Sequence, residues 1–380
     1  MAPAFPRVLA ALALVPLAMA QRGVTRENGR WVRTITGSAP ATAQLRVNAH
    51  GPVTLEGGVS QNLSYVIKIS VYARTEAEAL RRLSQYAVQV EPQGRWTVLN
   101  APGGADLATM ALKAPRLSAA VIATSEGAVE AGAIEGTLEV NSRAGELTIG
   151  RVGGNCTLST GGGEIKVGEI GGSLHCTTRA GAVTVKAVRS DAAIGTNGGD
   201  IAAGQVGGSV RAETGGGDIH VGTSGGTVNA TSGGGKIVVD SAGGTVTVHN
   251  MAGPVQVGSA AGVRCESGSG GIRVSNISGP MRVSTSMGSI LATLLSGRIS
   301  ESYLATGNGD ITVWIPSNVG VTIQAQNNMA DTLRRIISEF SEIPVRREGT
   351  QVIAQGSVNG GGPLVQIVGM GGTIFIKRQK

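Results

Sequence analysis

Residues 160–181 read TGGGEIKVGEIGGSLHCTTRAG, and this stretch contains one complete unit of the repeat that decides the fold. Gly163 and Gly181 stand 18 residues apart, and two short runs between them alternate apolar and polar residues. Alternation with a period of two is typical of β-strands with one buried face. The unit therefore predicts two strands of about five residues each, separated by the corner Gly171-Gly172.

The 18-residue spacing continues on both sides of this unit in two columns of glycines. The first column holds Gly127, Gly145, Gly163, Gly181, Gly199, Gly217, Gly235 and Gly253, and the second holds Gly153, Gly171, Gly207, Gly225 and Gly243. A fixed period of this length is typical of solenoids. We therefore predict an all-β fold, a β-solenoid of about ten 18-residue coils over residues 123–316, about 50 Å long at ~4.8 Å per coil.

The repeat also predicts which side chains face inward. In the unit above, Ile165, Val167, Ile170, Leu174 and Cys176 take the inward positions. Aromatic residues make up only 3% of the chain, so the core must be aliphatic. The period slips by one residue near Gly262, and two stretches without the regular pattern are candidate bulges: Arg189-Ser190 and residues 287–295.

A column of hydroxyl residues runs beside the first glycine column: Thr124, Ser142, Thr160, Thr178, Thr196, Thr214 and Ser232. One interpretation is an outward array that binds a ligand or ice. The other is a structural ladder that supports the turns. We favour the ladder, because neighbouring outward positions carry unlike side chains and therefore form no uniform face.

The repeat divides the remaining chain into flanking segments. Residues 21–122 predict a small β-rich N-terminal cap with one helix near residues 75–87, where Thr75 and Glu78 form a capping box. Residues 317–380 predict a β-rich C-terminal cap of closing strands. Within it, residues 336–340 fit either a helix or a strand.

The first 20 residues predict a signal peptide. Arg7 precedes an apolar run from Val8 to Leu17, and Ala18-Met19-Ala20 fits a cleavage site. The mature chain would begin at Gln21 and be extracytoplasmic: periplasmic, cell-surface or secreted. An uncleaved N-terminal helix is the alternative, although the run is too short to span a bilayer. No membrane span is expected after the signal peptide.

Three cysteines in an exported chain raise the question of a disulfide. Cys156 and Cys176 lie in adjacent coils but are offset by two positions, which places their Cα atoms about 8 Å apart, beyond the reach of a relaxed disulfide. Cys265 lies about five coils further on. All three are therefore predicted to be buried free thiols that pack as small apolar groups.

Charge is unevenly distributed along the chain, whose formal net charge is +7. Residues 21–120 carry 12 basic and 6 acidic groups, and residues 316–380 carry 7 and 4. The ends could contact an anionic envelope polymer, although a solvated surface is the simpler interpretation, which we prefer. Nucleic acid is not an expected partner, because no aromatic platforms accompany the basic residues.

No constellation of residues predicts catalysis, a cofactor or a metal site. Asp200, Asp218 and Asp310 follow glycines as in calcium-binding repeats, but Lys236 occupies the same column, which argues against calcium. The glycine runs lack the Lys-Ser or Lys-Thr of phosphate-binding loops. The histidines share no register: His50, His175, His220 and His249. We therefore assign no catalytic, cofactor-binding or metal-binding residues.

Three segments resemble the bacterial putative-adhesin family, which consists of exported proteins with β-strand repeats. They are TGGGEIKVGEIGG at residues 160–172, GDITVWIP at 309–316 and GGGPLVQIVGMGGTIFIK at 360–377. The resemblance covers residues 40–380 and implies an exported β-solenoid with no catalytic residues to carry over. It also implies a strand over residues 336–340.

The sequence thus predicts a non-enzymatic, adhesin-like or envelope-associated protein that binds a surface polymer or protein, or has a structural role. A self-associating envelope scaffold is one alternative, and a carbohydrate-active parallel β-helix enzyme is the other. The sequence does not indicate the ligand or the oligomeric state.

Overall fold

The computed structural model describes residues 24–40, 42–101, 108–295, 299–328 and 335–379, so the predicted signal peptide lies outside the described residues. The part that precedes the repeat holds the one helix of the described residues. Its elements are β1 (Thr25–Glu27), β2 (Arg30–Ala39), β3 (Gln44–Ala49), β4 (Val53–Glu56), β5 (Leu63–Val71), α1 (Glu76–Ser84), β6 (Gln89–Gln93), β7 (Trp96–Asn100) and β8 (Ala108–Lys113).

The repeat region consists of short strands. They are β9 (Ala119–Thr124), β10 (Val129–Ala131), β11 (Thr137–Ser142), β12 (Leu147–Val152), β13 (Cys156–Thr160), β14 (Ile165–Ile170), β15 (Leu174–Thr178), β16 (Val183–Val188), β17 (Ala192–Thr196), β18 (Ile201–Val206), β19 (Val210–Thr214), β20 (Ile219–Ser224), β21 (Val228–Ser232), β22 (Ile237–Ala242), β23 (Thr245–Ala252), β24 (Val255–Ser259), β25 (Gly262–Ser269), β26 (Ile272–Ile277), β27 (Met281–Met287), β28 (Ile290–Leu294), β29 (Ser302–Asn308) and β30 (Ile311–Pro316).

Six strands follow the repeat. They are β31 (Val321–Asn327), β32 (Ile336–Ser338), β33 (Val345–Glu348), β34 (Gln351–Val358), β35 (Leu364–Gly369) and β36 (Ile374–Gln379). Residues 336–338 therefore form a strand, as the family resemblance implied, rather than the alternative helix.

From β9 to β30 the chain alternates between two parallel sheets. Even-numbered strands form sheet A and odd-numbered strands form sheet B, and each strand pairs with the strand one coil away. Residues 18 apart are partners, as for Ile219 and Ile237. The predicted β-solenoid is confirmed, with eleven coils in this region of the described chain.

The core lies between the two sheets and is aliphatic. The five residues predicted to face inward in the type coil are all buried: Ile165, Val167, Ile170, Leu174 and Cys176. Burying a side chain of this size contributes about 1.5–3 kcal/mol, which is too little for one coil to fold alone against the backbone entropy of 18 residues. Each coil therefore depends on the coils above and below it.

Irregular coils occur where the sequence pattern changes, with one exception. Val246 pairs with Val263, so the predicted one-residue slip is confirmed. Arg282 pairs with Tyr303, which makes a coil of 21 residues, and the register shifts between Val274 and Ile277. The expected bulge at residues 189–190 was wrong, because their amides make the same hydrogen bonds to the preceding coil as the Gly-Gly corners do.

The flanking segments add four coils that are out of sequence order. At the N-terminal end β3–β4 stack on β9–β10, and β7–β8 stack outside β3–β4. At the other end β35–β36 insert between β29–β30 and β31–β32. Fifteen coils at ~4.8 Å each give a stack about 70 Å long, longer than the repeat alone predicts.

Antiparallel strands and the helix complete the two ends. Strands β1, β2 and β5 extend sheet A beyond β8, and β6 extends sheet B beyond β7. Helix α1 packs on β2 and β5, with Ala79 and Leu83 buried. Thr75 accepts the amide N–H of Glu78, which confirms the predicted N-cap. None of the described helical residues forms a segment long and apolar enough to cross a bilayer.

Candidate functional site: an aromatic patch on sheet A

The hydroxyl column of the sequence lies inside the stack. Thr214 is buried, donates a hydrogen bond to the carbonyl of Gly199 over 2.8 Å and accepts one from the amide of Gly217. Four equivalent bonds span 2.9–3.1 Å, from Thr160, Thr178, Thr196 and Ser232. The structural ladder is therefore confirmed, and these hydroxyls do not form an outward binding array.

The aspartates that suggested calcium have a structural role at the corners. Asp200 accepts the amide N–H of Asp218 over 2.8 Å, and Asp218 accepts that of Lys236 over 2.7 Å. Asp310 likewise accepts the amide N–H of Thr373 over 2.7 Å. Each carboxylate links one coil to the next, and among the described residues no three His, Cys, Asp or Glu side chains converge as a metal site.

The three cysteines are free and buried, as predicted. The strand register pairs Cys156 with Leu174 and Leu158 with Cys176, which confirms the two-position offset between the thiols. Burial raises the pKa of Cys156, Cys176 and Cys265 to about 12. They are therefore protonated at neutral pH and unsuited to act as nucleophiles or metal ligands.

The histidines lie on different surfaces. His220 contacts Asp240 over 2.9 Å on sheet A, and His249 contacts Glu266 over 3.5 Å on sheet B. The structure also brings the Ser125 hydroxyl to Nδ1 of His50, a pair that sequence reasoning missed because 75 residues separate the two. A hydrolase triad needs a carboxylate on the other ring nitrogen, and the described residues provide none there.

The most distinctive outward feature is an apolar patch at the C-terminal end of sheet A. Its members are half-buried and stand on neighbouring strands β28, β30, β36 and β32. Their sequence neighbours on these strands point into the core, so the four side chains point outward. We call this set the aromatic patch: Leu291, Trp314, Phe375 and Ile337.

Strand pairing fixes the arrangement of the patch. One row across the strands contains Leu291, Thr312, Phe375 and Ile337, and the next contains Thr293, Trp314 and Lys377. The Lys377 ammonium lies 5.3 Å from the ring centroid of Trp314 and 5.2 Å from that of Phe375. These are cation–π distances, so the ammonium ties the two rings together.

The surroundings of the patch are positively charged. Arg273 on β26 pairs directly with Leu291. Among the described residues neither Arg273 nor Lys377 has a carboxylate partner, and strands β26, β28, β30 and β36 contain no Asp or Glu. Glu339, which follows β32, accepts the amide N–H of Arg378. The patch therefore combines apolar rings with two unpaired cations.

The patch stands out against the rest of the solenoid. Residues 97–302 contain no Phe, Trp or Tyr at all. In regular coils the position directly after the second inward residue of the sheet A strand is a glycine, as in Gly150, Gly168 and Gly222, whereas β30 has Trp314 there. That substitution was visible in the sequence and could have indicated the site. The pairing of β30 with β36, which adds Phe375 and Lys377, was not visible.

A second surface is a polar groove along sheet A beside the Gly-Gly corners, with a volume of about 930 Å³. Its charges largely satisfy one another: Glu169 lies 3.9 Å from Arg151 and 3.2 Å from Lys186. An exposed groove whose ion pairs are already formed offers less free energy to a ligand than the unpaired cations of the patch do. The patch is therefore the stronger candidate.

The sequence matches no protein-family model and no curated protein. Three solved structures are similar to the chain. A putative cell adhesion protein from Clostridium sporogenes ATCC 15579 is 9% identical, with 92% of this chain and 100% of that chain covered and a TM-score of 0.19. A putative adhesin from Bacteroides fragilis NCTC 9343 is 9% identical, with 92% and 97% covered and a TM-score of 0.21.

The third structure is a putative adhesin from Parabacteroides merdae ATCC 43184, which is 11% identical, with 75% of this chain and 97% of that chain covered and a TM-score of 0.25. All three descriptions agree with the family that the sequence resembles. At these TM-scores the likenesses carry no argument about the ligand or the site, which rests on the residues of this chain.

Proposed function

We propose that the chain is a non-enzymatic, adhesin-like β-solenoid that binds a polymer or protein of a cell surface through the aromatic patch. The observation that carries this proposal is the outward Trp314–Lys377–Phe375 cluster on a stack whose regular coils have no aromatic residue. Exposed apolar surface rimmed by polar groups marks interaction sites. The stack supplies a rigid support for this surface.

We further propose an extracytoplasmic location for the mature chain, which would begin at Gln21. The charged and apolar pattern of residues 1–20 supports it. Cell fractionation together with N-terminal sequencing tests this point. An N-terminus at Met1 in the membrane fraction would favour the uncleaved alternative instead.

The self-associating scaffold is less well supported than a binding role, because the edge strands resist pairing. In sheet A the edge strands β1 and β32 have three residues each. In sheet B the edge strand β6 contains Pro92, and all four residues of β33 are exposed, with Arg346, Arg347 and Glu348 among them. Short, charged or proline-containing edges disfavour end-to-end association.

The carbohydrate-active enzyme has no specific observation in its favour. A glycosidase of the usual kind needs two carboxylates flanking one bond, and Asp200, Asp218 and Asp310 instead bind backbone amides. A panel of polysaccharides, incubated with and without calcium, tests this alternative. Release of reducing ends would overturn the non-enzymatic proposal.

A cell-binding experiment tests the proposed site directly. The mature chain is labelled, and its retention on whole bacterial cells and isolated envelopes is compared with that of a Trp314→Ala/Phe375→Ala variant. We expect the variant to lose about tenfold or more in affinity, as for aromatic anchors in other interfaces. Thermal melting verifies that both chains are folded.

The chain offers a matched control on the opposite sheet. Tyr303 on β29 stacks with Arg282 at 5.7 Å, so it has the same aromatic–cation chemistry outside the patch. Tyr303→Ala should bind cells as the unmodified chain does. Equal retention of all three proteins, or a loss only in Tyr303→Ala, would contradict the assignment of the patch as the binding site.

A further inference from the structure

We propose that the ligand of the aromatic patch is an acidic polysaccharide. This inference rests on the proposed function and adds the chemical class of the ligand. Its carboxylates would lie against Lys377 and Arg273, while the apolar faces of its sugar rings pack on Trp314 and Phe375. Three features of the described residues support this class: the unpaired cations, the free hydroxyls and the extended form of the surface.

The cations select for negative charge. Lys377 is held between two rings, and Arg273 stands beside Leu291 at the other side of the patch. Neither has a carboxylate partner among the described residues, so both are available to a ligand. Opposite charge on the ligand would complement them and would also accelerate association.

Hydroxyl groups lie between the apolar side chains. Thr312 separates Leu291 from Phe375, and Thr293 is the cross-strand neighbour of Trp314. Ser275 lies two residues from Arg273. None of these three hydroxyls has a hydrogen-bond partner among the described residues. Each can both donate and accept, which suits the hydroxyls of a sugar.

The form of the surface favours a chain over a small molecule. The patch extends across four neighbouring strands, about 14 Å at the usual strand spacing. Small-molecule sites are usually concave and enclose most of the ligand, whereas this surface is the outer face of a sheet. The rings are half-buried beside Lys377 and do not project as a wedge, so a polymer lying on the sheet fits better than insertion into a lipid surface.

The experiment compares each acidic polymer with the same polymer after its carboxylates are methyl-esterified. The probes are polygalacturonate, alginate and hyaluronate, and affinity electrophoresis or calorimetry measures their binding to the mature chain. We expect at least one acidic polymer to bind at least about fivefold more tightly than its ester, a factor consistent with one or two exposed charge pairs. The preference should weaken as salt is added.

Variants separate the roles of the rings and the cations. Lys377→Gln with Arg273→Gln should remove the preference for the acidic form and leave binding to the ester unchanged. Trp314→Ala should weaken binding to both forms about tenfold, with partial recovery in Trp314→Phe. The matched control, Arg282→Gln on sheet B, removes an equal charge beside an aromatic ring and should leave the preference intact.

The outcomes distinguish this inference from the function on which it rests. Equal binding of acid and ester, or binding to none of the three acidic polymers, would overturn the acidic-polysaccharide inference even where cell binding still depends on Trp314. Tighter Trp314-dependent binding to phosphatidylglycerol vesicles than to any polymer would overturn it too. So would light scattering that shows a dimer broken by Trp314→Ala, because a second copy would then cover the patch.

Discussion

At the scale of single residues, one carbonyl oxygen decides which glycine of a corner is required. A Cβ on Gly217 would lie 2.1 Å from the carbonyl oxygen of Gly199 in the preceding coil, whereas a Cβ on Gly216 would meet nothing within 4 Å. The first column of glycines therefore exists because coils approach closely there. The adjacent glycine faces open space.

We expect Gly217→Ala to lower the free energy of unfolding by about 1–3 kcal/mol, because the two coils must separate to admit the methyl group. Gly216→Ala should change it by no more than about 0.5 kcal/mol. Urea denaturation of the two variants provides the comparison. Equal stability of both would show that the coils are not in contact at Gly199.

The buried thiols make a pH prediction. Burial raises the pKa of Cys156, Cys176 and Cys265 from 9.0 to about 12. Above pH 9 the unfolded chain therefore loses protons that the folded chain retains, so stability falls as pH rises from about 9 towards 12. The contribution of the thiols is fully present below pH 9.

Denaturation of the natural chain and of a triple Cys→Ala variant between pH 7 and 11 tests this dependence. The variant should be less stable at pH 7 but should lose less stability as pH rises, because other titrating groups are common to both chains. Parallel pH profiles would mean that the thiols are accessible to water in the folded chain.

The inward side chains of the repeat could be predicted from the sequence, but the roles of several polar residues could not. Alternation identified Ile165 and Val167 as buried, because that pattern depends only on local backbone geometry. The hydrogen bond from Thr214 to Gly199 spans two coils and depends on the exact corner conformation. The same is true of Asp218, whose partner is the amide of Lys236.

At the scale of elements, the four edge strands explain why a stack of parallel coils need not grow. A regular coil presents a row of unpaired amides and carbonyls that would accept another strand. Here the edges are three residues long, contain Pro92 or carry Arg346 and Arg347. We therefore expect the natural chain to remain monomeric.

A double substitution tests the edge. Arg346→Val/Arg347→Val gives β33 an apolar edge with high strand propensity, so we expect concentration-dependent association measured by light scattering. Arg264→Val/Arg282→Val removes the same charge from the outer face of sheet B, away from any edge, and should stay monomeric. Association of the natural chain through its ends would instead support the scaffold alternative.

The strands of the repeat were predictable and their partners at the ends were not. The 18-residue period fixes the pairing of β9 to β30, since each coil stacks on the last. No period links β3 to β9 or β36 to β30, although they pair in register. Such long-range pairings depend on the whole fold, so sequence alone left Phe375 and Lys377 unassigned to the patch.

At the scale of the whole molecule, the chain is one continuous stack with its aromatic residues confined to the two ends. The middle coils supply length and rigidity, and the C-terminal end supplies the patch. The out-of-order coils at both ends place residues that are distant in sequence side by side, as for Trp314 and Lys377. The proposed binding function depends on this stack being in register.

Distances along sheet B test that claim most directly. Thr157, Asn229 and Thr247 point outward in one column, with four coils from the first to the second and five to the third. Spin labels on cysteines introduced at these positions can be measured in pairs by pulsed electron resonance, since the native thiols are buried. The stack predicts backbone separations of about 19 Å and 24 Å, a step of ~4.8 Å for one coil. Separations that do not increase by one constant step for each coil would contradict the solenoid and, with it, the patch built on its end.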